Sequence, residues 1–567
     1  MAIRVNNASD RRKLSTAIPL LAITSIWLIG VVFTNPFGDF PLNDDWSYGL
    51  AVKRFLDTGD FRPTGWTSMS LLTHVLWGSI FCIPNGFSFE ALRFSSLTIS
   101  LIGVLGAYVL TRELGGPRWL AVILALTIAF NPIYYALSNT FMTDVSFTAI
   151  TILAVLFLAR SLKNDSNFDL LVGTAFTVAA TLDRQLGIAI PLAFTVSSIV
   201  KNGFTIRVIV RAAIPSFLCI GAMFGFEYLL TITGRLPQMY NAQLRALTKP
   251  GLLLSVARNV YIALLYLGWF SLPVLVIVFG YIWLSLKGTA TRLTLLLTTS
   301  ALLVLLSLTL WYMTQSLMPL SGNIIKAAGI GPFTLRDAHI LKAPVVAVLP
   351  TSFWLAVTAL SLVGGALLLV VMGIAAIRLL PTFWPGSMNG NKAVVTFLFL
   401  SAAAYMIPIL ALGFFDRYLV PAIPPLLAAS VTSLSLEDHA KPGRTGERIL
   451  AVVASLLIGL FFVFSICGTR DYLTWNRSRW VALNDLMESK HVNAQDIDGG
   501  LEFNGLHLYH RNYRRTSDKS WWWVNKDTYV VAFGAIPGYS VIGEYKYRQW
   551  MPPRNGSIKL LEKDPNN

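Results

Sequence analysis

"LSTAIPLLAITSIWLIGVVFTNPFGDFPLNDDWSYGL", residues 14–50, places an apolar run directly before two adjacent carboxylates, Asp44 and Asp45. Residues 14–33 carry no charged side chain and are long enough to cross a hydrocarbon core, which takes about 20 apolar residues. The run is too long for a signal-peptide core and no small-residue cleavage site follows, so it is expected to remain as a first transmembrane helix. Beyond it, the acids stand beside Trp46 and Tyr48, aromatic residues that suit either a sugar face or the interfacial belt, with the belt the expectation for Trp46. A carboxylate at a membrane boundary is costly unless it is paired, coordinated or wet, and therefore marks a candidate site.

The same apolar pattern recurs along all but the last hundred residues. The chain of 567 residues is 54% hydrophobic and 13% charged, with a mean hydropathy of +0.60, outside the range of a soluble domain. About thirteen runs of spanning length centre near residues 26, 100, 124, 151, 175, 192, 220, 270, 300, 362, 403, 424 and 458. The expected fold is thus an all-α polytopic membrane protein. Residues 66–83, interrupted by His74, are expected to form a helix lying at the interface, with His74 on its polar face.

The formal charge of +16 would suggest nucleic acid in a soluble protein. Here the cations fall in alternate short loops: Arg112 and Arg118, Arg160 and Lys163, Lys201 to Arg211, Lys287 and Arg292, Arg378 and Lys392. That is the positive-inside pattern; it excludes nucleic acid as the partner and makes these loops cytoplasmic. The intervening loops then share the opposite face, and Asp44, Asp45, Asp144, Asp183 and Asp416 all fall there at or beside span ends. Taken singly, each could cap a helix or anchor its end. Cys82, Cys219 and Cys467 have no metal-ligand spacing and suit small hydrophobic packing.

Four segments carry chemistry on that face. In the first, Asp44 and Asp45 project about 100° apart if they open a helix, so that one can face a reaction centre while the other accepts backbone N–H groups. In "NPIYYALSNTFMTD", Asp144 opens a span, where a helix dipole favours its charge, and Tyr134, Tyr135 and Asn139 offer ring faces and amide groups suited to polyols. "TLDRQLG" supplies Asp183 and Arg184, and "GFFDRYLVPAIPPL" supplies Asp416 and Arg417. Either neighbour pair could be a local ion pair, or its guanidinium could clamp a phosphate. Breaking a sugar–phosphate bond calls for such a cation at the leaving oxyanion and a carboxylate to deprotonate the incoming hydroxyl.

The acidic pair in the first external loop, the "TD" at Thr143 and Asp144, "RQLG" from Arg184 and "DRYLVPAIPPL" from Asp416 together resemble the GT-C superfamily of integral-membrane glycosyltransferases, in particular the aminoarabinose transferase and protein O-mannosyltransferase group, over roughly the first 430 residues. The resemblance implies a sugar donor on polyprenyl phosphate, a lipid, glycan or protein acceptor at the outer face of a cell (inner) membrane, and inversion at the anomeric carbon. By residue, it implies Asp44 as the base with Asp45 as alternate or orienting partner, Asp144 and Tyr48 on the acceptor or cation side, and Arg417 with Arg184 at the donor phosphate. Lys326 and Lys342, in the Gly- and Pro-broken segment 315–350, are further phosphate candidates, and that segment is read either as a closing lid or as a linker. A divalent cation, Mg²⁺ or Mn²⁺, is the one cofactor considered, with Asp144 and Asp45 as its candidate ligands. Competing classes are a transporter or flippase of lipid-linked sugars, which would favour inverted repeats, and an O-antigen ligase or polymerase.

After Cys467 the composition turns polar and aromatic, so residues 1–467 are read as the membrane domain and 468–567 as a small α/β domain on the non-cytoplasmic (periplasmic) side. A helix near residues 479–490 and strands at "TYVVAF" and "YSVIGEYKYR" are expected, with Trp521, Trp522 and Trp523 packing the domain down or stacking on acceptor glycan.

Overall fold

The computed structural model describes residues 8–240, 252–285, 288–313, 317–379, 384, 386, 388–434, 443–513 and 522–565. Most of these are helical: α1 (Ala8–Thr34), α2 (Asp45–Thr58), α3 (Leu72–Cys82), α4 (Phe89–Glu113), α5 (Arg118–Ala129), α6 (Pro132–Ser138), α7 (Thr143–Asn164), α8 (Asn167–Asp183), α9 (Ala189–Asn202), α10 (Ile206–Ile232), α11 (Leu252–Ser285), α12 (Thr289–Met313), α13 (Arg336–His339), α14 (Thr351–Leu379), α15 (Gly390–Leu412), α16 (Ile423–Ser433), α17 (Arg444–Asn484) and α18 (Leu501–Leu508).

Among the described residues nine helices are long and apolar enough to cross a membrane, or ten if α5 and α6, bent by 64°, count as one broken span. Three of the thirteen expected runs, near residues 175, 192 and 424, form α8, α9 and α16 of 17, 14 and 11 residues. A composition window spreads each over its flanking apolar residues, whereas the helices stop earlier: α8 at the extended Arg184, α9 at Gly203. Large apolar side chains such as Phe217, Leu253 and Leu305 stand outward on the helices, the pattern of a multi-pass membrane protein whose solvent is lipid. Inside, α11 and α14 touch backbone to backbone. A Cβ on Gly268 would lie 2.2 Å from the Gly365 nitrogen, so only small residues permit this crossing.

The composition change at Cys467 falls within one unbroken helix, because polar and apolar residues propagate a helix equally well. α17 runs on to Asn484 and its second half packs under a four-stranded sheet. The sheet order is β3 (Ile497–Asp498), β4 (Tyr529–Ala532), β6 (Pro553–Lys563), β5 (Tyr539–Trp550), with only β3–β4 parallel. β4 and β5 are the two expected strands; the expected helix at 479–490 is the tail of α17 plus a π turn. Asp471 on α17 takes the backbone N–H groups of Trp550 and Met551 at 2.8 Å each, fixing the β5–β6 turn to the helix.

Candidate active site

α1 ends at Thr34, and α2 opens at Asp45 after an irregular stretch held by Arg93, whose guanidinium donates to the carbonyls of Pro36, Gly38 and Phe40. This fixes the approach to Asp44. The Asp44 carboxylate accepts from the Trp66 indole N–H at 2.9 Å and lies 3.5 Å from the Arg417 guanidinium. Arg417 also reaches Asp144 at 4.0 Å, and Asp144 pairs with Arg184 at 3.0 Å. Arg184 is oriented by Thr143, whose hydroxyl accepts from its Nε at 2.8 Å. Four residues spread over 374 positions thus form one chain of contacts at one end of the helix bundle. Three of the four are at least nine-tenths buried, and each charge has an opposite partner, the condition under which buried ions persist.

The neighbouring acids are turned elsewhere. Asp183 accepts from Ser146 at 2.8 Å, and Ser146 also bonds His74 Nδ1 at 2.9 Å. Asp416 accepts the backbone N–H groups of Ile324, Ile325 and Arg417. Neither Asp–Arg neighbour pair is a local ion pair; in both, the acid anchors backbone or hydroxyl while the arginine points to Asp144. Asp45 accepts the Leu42 N–H at 3.2 Å, and burial pushes its carboxyl up to about 8. Among the described residues it is thus turned to backbone rather than to the arginines. Tyr48 is buried edge-on to His74, within electrostatic reach of Asp44, Arg417, Arg184 and Asp144.

Several sequence expectations are corrected. His74 is not on a polar face: it is buried, stacked on Phe141 at 3.9 Å and bonded to the Phe141 carbonyl. Tyr134, Tyr135 and Asn139 are buried in the core rather than presented in a loop: the two hydroxyls bond the Ser100 carbonyl and Thr34, and the Asn139 amide nitrogen donates to the Tyr135 carbonyl. Trp46 is fully buried rather than in an interfacial belt. It packs on Trp66 and Trp523, and Gly505 allows the contact because a Cβ there would lie 2.3 Å from the indole. Trp523 therefore packs the C-terminal unit onto the first loop, whereas Trp522 lies against His339; Trp521 is outside the described residues. Segment 317–350 is pinned rather than lid-like: Asp416 holds its hairpin of β1 (Ile325–Lys326) and β2 (Gly329–Ile330), Glu502 holds Thr334, and Asp337 holds Phe533 and Gly534. Lys326 and Lys342 line a cavity with Asn43, separate from the one that reaches Arg184.

The candidate cation ligands do not present an oxygen cage. Both Asp144 oxygens face guanidinium groups, Asp45 is turned to backbone, and no group of three His, Cys, Asp or Glu side chains converges among the described residues. Mg²⁺ and Mn²⁺ demand near-octahedral oxygen donors, so these two acids do not fit such an ion as arranged.

Beside Arg184 and Tyr418 opens a cavity of about 360 Å³, lined largely by apolar side chains from α10 and α15, including Phe224, Pro408, Ile409 and Leu412. Trp66 and Asn43 are neighbouring residues that sequence reasoning did not single out; Thr143 belongs with Asp144 to the "TD" pair, whereas no local pattern marks Trp66.

Residues 72–230 match the family described as dolichyl-phosphate-mannose-protein mannosyltransferase. No curated protein matches the chain. Solved structures with loose similarity include the apo oligosaccharyltransferase of Archaeoglobus fulgidus (14% identity, TM-score 0.44, 88% of this chain and 62% of that one) and apo ArnT of Cupriavidus metallidurans (14%, TM-score 0.34, 87% and 85%). The chain thus spans less than two thirds of the archaeal protein's length. Over the segment that carries His74, Asp144 and Arg184, the chain is similar to the dolichyl-phosphate-mannose-protein mannosyltransferases, which bears out the resemblance to GT-C membrane glycosyltransferases.

Proposed function

We propose that the chain is an inverting glycosyltransferase that moves a sugar from a polyprenyl-phosphate donor to an acceptor hydroxyl at the non-cytoplasmic face. One observation carries this reading: Asp44, Asp144, Arg184 and Arg417 meet in a continuous contact chain beside an apolar cavity of about 360 Å³. In the reaction Asp44 accepts the acceptor proton, the acceptor oxygen bonds to C1 from the face opposite the phosphate, and the C1–O bond to phosphate breaks. Arg417 and Arg184 stabilise the released phosphate oxyanion. Asp144 holds both guanidinium groups at their spacing, and Trp66 holds the Asp44 carboxylate. The polyprenyl tail lies in the cavity between α10 and α15, entering from the lipid. No step needs a divalent cation.

The test is a transfer assay with the purified protein in nanodiscs, using polyprenyl-phosphate sugars of several kinds and envelope extracts as acceptors. Release of free polyprenyl phosphate, together with a product whose anomeric configuration is opposite to that of the donor, supports the reading. Movement of intact donor across the bilayer without sugar transfer would overturn it in favour of a flippase.

A further inference from the structure

A second cavity, of about 410 Å³, lies between segment 317–350, the C-terminal unit and Asn43, the residue immediately before Asp44. This is within the size range of small-ligand sites. Asn43 lines it, is 6% exposed, and has a side-chain amide nitrogen with no hydrogen-bond partner; the side-chain oxygen of Asn323, also lining it, is likewise unsatisfied. Unpartnered buried donors and acceptors are costly, and here they border an open space.

The charged side chains that line this cavity are of one sign, with Glu502 behind them paired to Arg479. Lys326 and Lys342 both line it and no carboxylate does. His339 also lines it, packed on Trp522, and burial, reinforced by Lys342 and Lys326 and partly offset by Glu502, pushes it down to about 4. Lys326 donates to the Gly322 carbonyl at 2.6 Å, which leaves two of its ammonium protons for other acceptors. The indole of Trp522 and the ring of Phe333 add flat apolar walls.

We infer that this cavity binds the acceptor, and that the acceptor is an anionic sugar: the ring against Trp522, its hydroxyl and amide groups on Asn43 and Asn323, and a phosphate or carboxylate on Lys326 and Lys342. The inference rests on the proposed transferase reading for the word acceptor, but the binding site stands or falls separately.

The test measures binding to the full-length protein in nanodiscs by saturation-transfer NMR with three probes: glucose 1-phosphate, glucuronate and neutral methyl glucoside. One or both anionic probes bind, and methyl glucoside binds at least about tenfold more weakly, as expected for loss of charge-assisted hydrogen bonds. Glucose 1-phosphate alone identifies the group as phosphate and glucuronate alone as carboxylate. Lys326→Met and Lys342→Met each weaken the anionic probe, and Lys326→Arg restores it. Equal binding of charged and neutral probes, no binding of any, or unchanged anion binding in both lysine variants would overturn the inference. Those outcomes leave the transferase reading intact, whereas anion binding at the lysines without any sugar transfer would sink that reading and keep the site.

Discussion

Glu502, in the C-terminal unit, accepts a hydrogen bond at 3.0 Å from the backbone N–H of Asn43, although 459 residues separate them. The same carboxylate accepts from Thr334 at 2.7 Å and pairs with Arg479 at 2.7 Å, both members of the ion pair being fully buried. One side chain therefore ties α18, α17, segment 317–350 and the peptide before Asp44 together.

Removing one member of a buried pair leaves an uncompensated charge, at a cost of about 3–5 kcal/mol. Glu502→Gln is accordingly expected to lower the melting temperature in nanodiscs, measured by intrinsic fluorescence. If Glu502 also positions Asp44, the variant lowers kcat at a temperature where it is folded while the donor KM changes little; an unchanged kcat would confine Glu502 to a structural role.

Trp66 supplies the hydrogen-bonding side chain at 2.9 Å from Asp44 Oδ1. Trp66→Phe keeps the ring against Trp523 and deletes only the N–H. A hydrogen bond to a charged group is worth about 1.5–3 kcal/mol, so kcat is expected to fall roughly 10- to 100-fold while the donor KM changes little. An unchanged kcat would show that this N–H does not act on the base.

Asp45 gives a pH dependence of stability. Its folded carboxyl sits at about 8 against 3.8 in the unfolded chain, chiefly because burial disfavours the charge. The folded state therefore holds the proton more tightly, so stability declines as pH rises between these values and the loss is complete above about 8. Asp45→Asn, which retains an acceptor for the Leu42 N–H, is expected to flatten that decline. Melting curves from pH 5 to 9 check this, and parallel slopes for the two proteins would contradict it.

Asp416 takes three backbone N–H groups. Asp416→Ala leaves them buried and unsatisfied, at about 1–3 kcal/mol each. Faster proteolysis within 317–350 is expected, together with reduced donor affinity because Arg417 follows directly. Wild-type protection of that segment would count against the anchoring role.

How much of this was legible beforehand divides by range. Asp44, Asp144, Arg184 and Arg417 stood out because each is a charge at the end of an apolar run, and loop parity put them on one face; their contacts of 3.0–4.0 Å are consistent with that grouping. α1, α4, α7, α10, α11 and α14 follow from composition alone, since lipid demands uniformly apolar spans. Trp66, Glu502 and Arg479 carried no signal, because their roles come from partners tens to hundreds of residues away. Tyr134, Tyr135 and His74 were misread for a related reason: a polar group on an aromatic ring serves a buried carbonyl as well as a ligand, and only packing distinguishes the two. The boundary at Cys467 failed because polarity reports the solvent around a helix, not whether the helix continues.

The most direct measurement is single-turnover sugar transfer by Asp44→Asn with lipid-linked donor, alongside donor binding by the same variant. Loss of transfer by about three orders of magnitude or more, with donor affinity close to wild type, is expected of the base. Transfer at the wild-type rate would contradict the assignment and with it the catalytic reading of the Asp44–Arg417 contact.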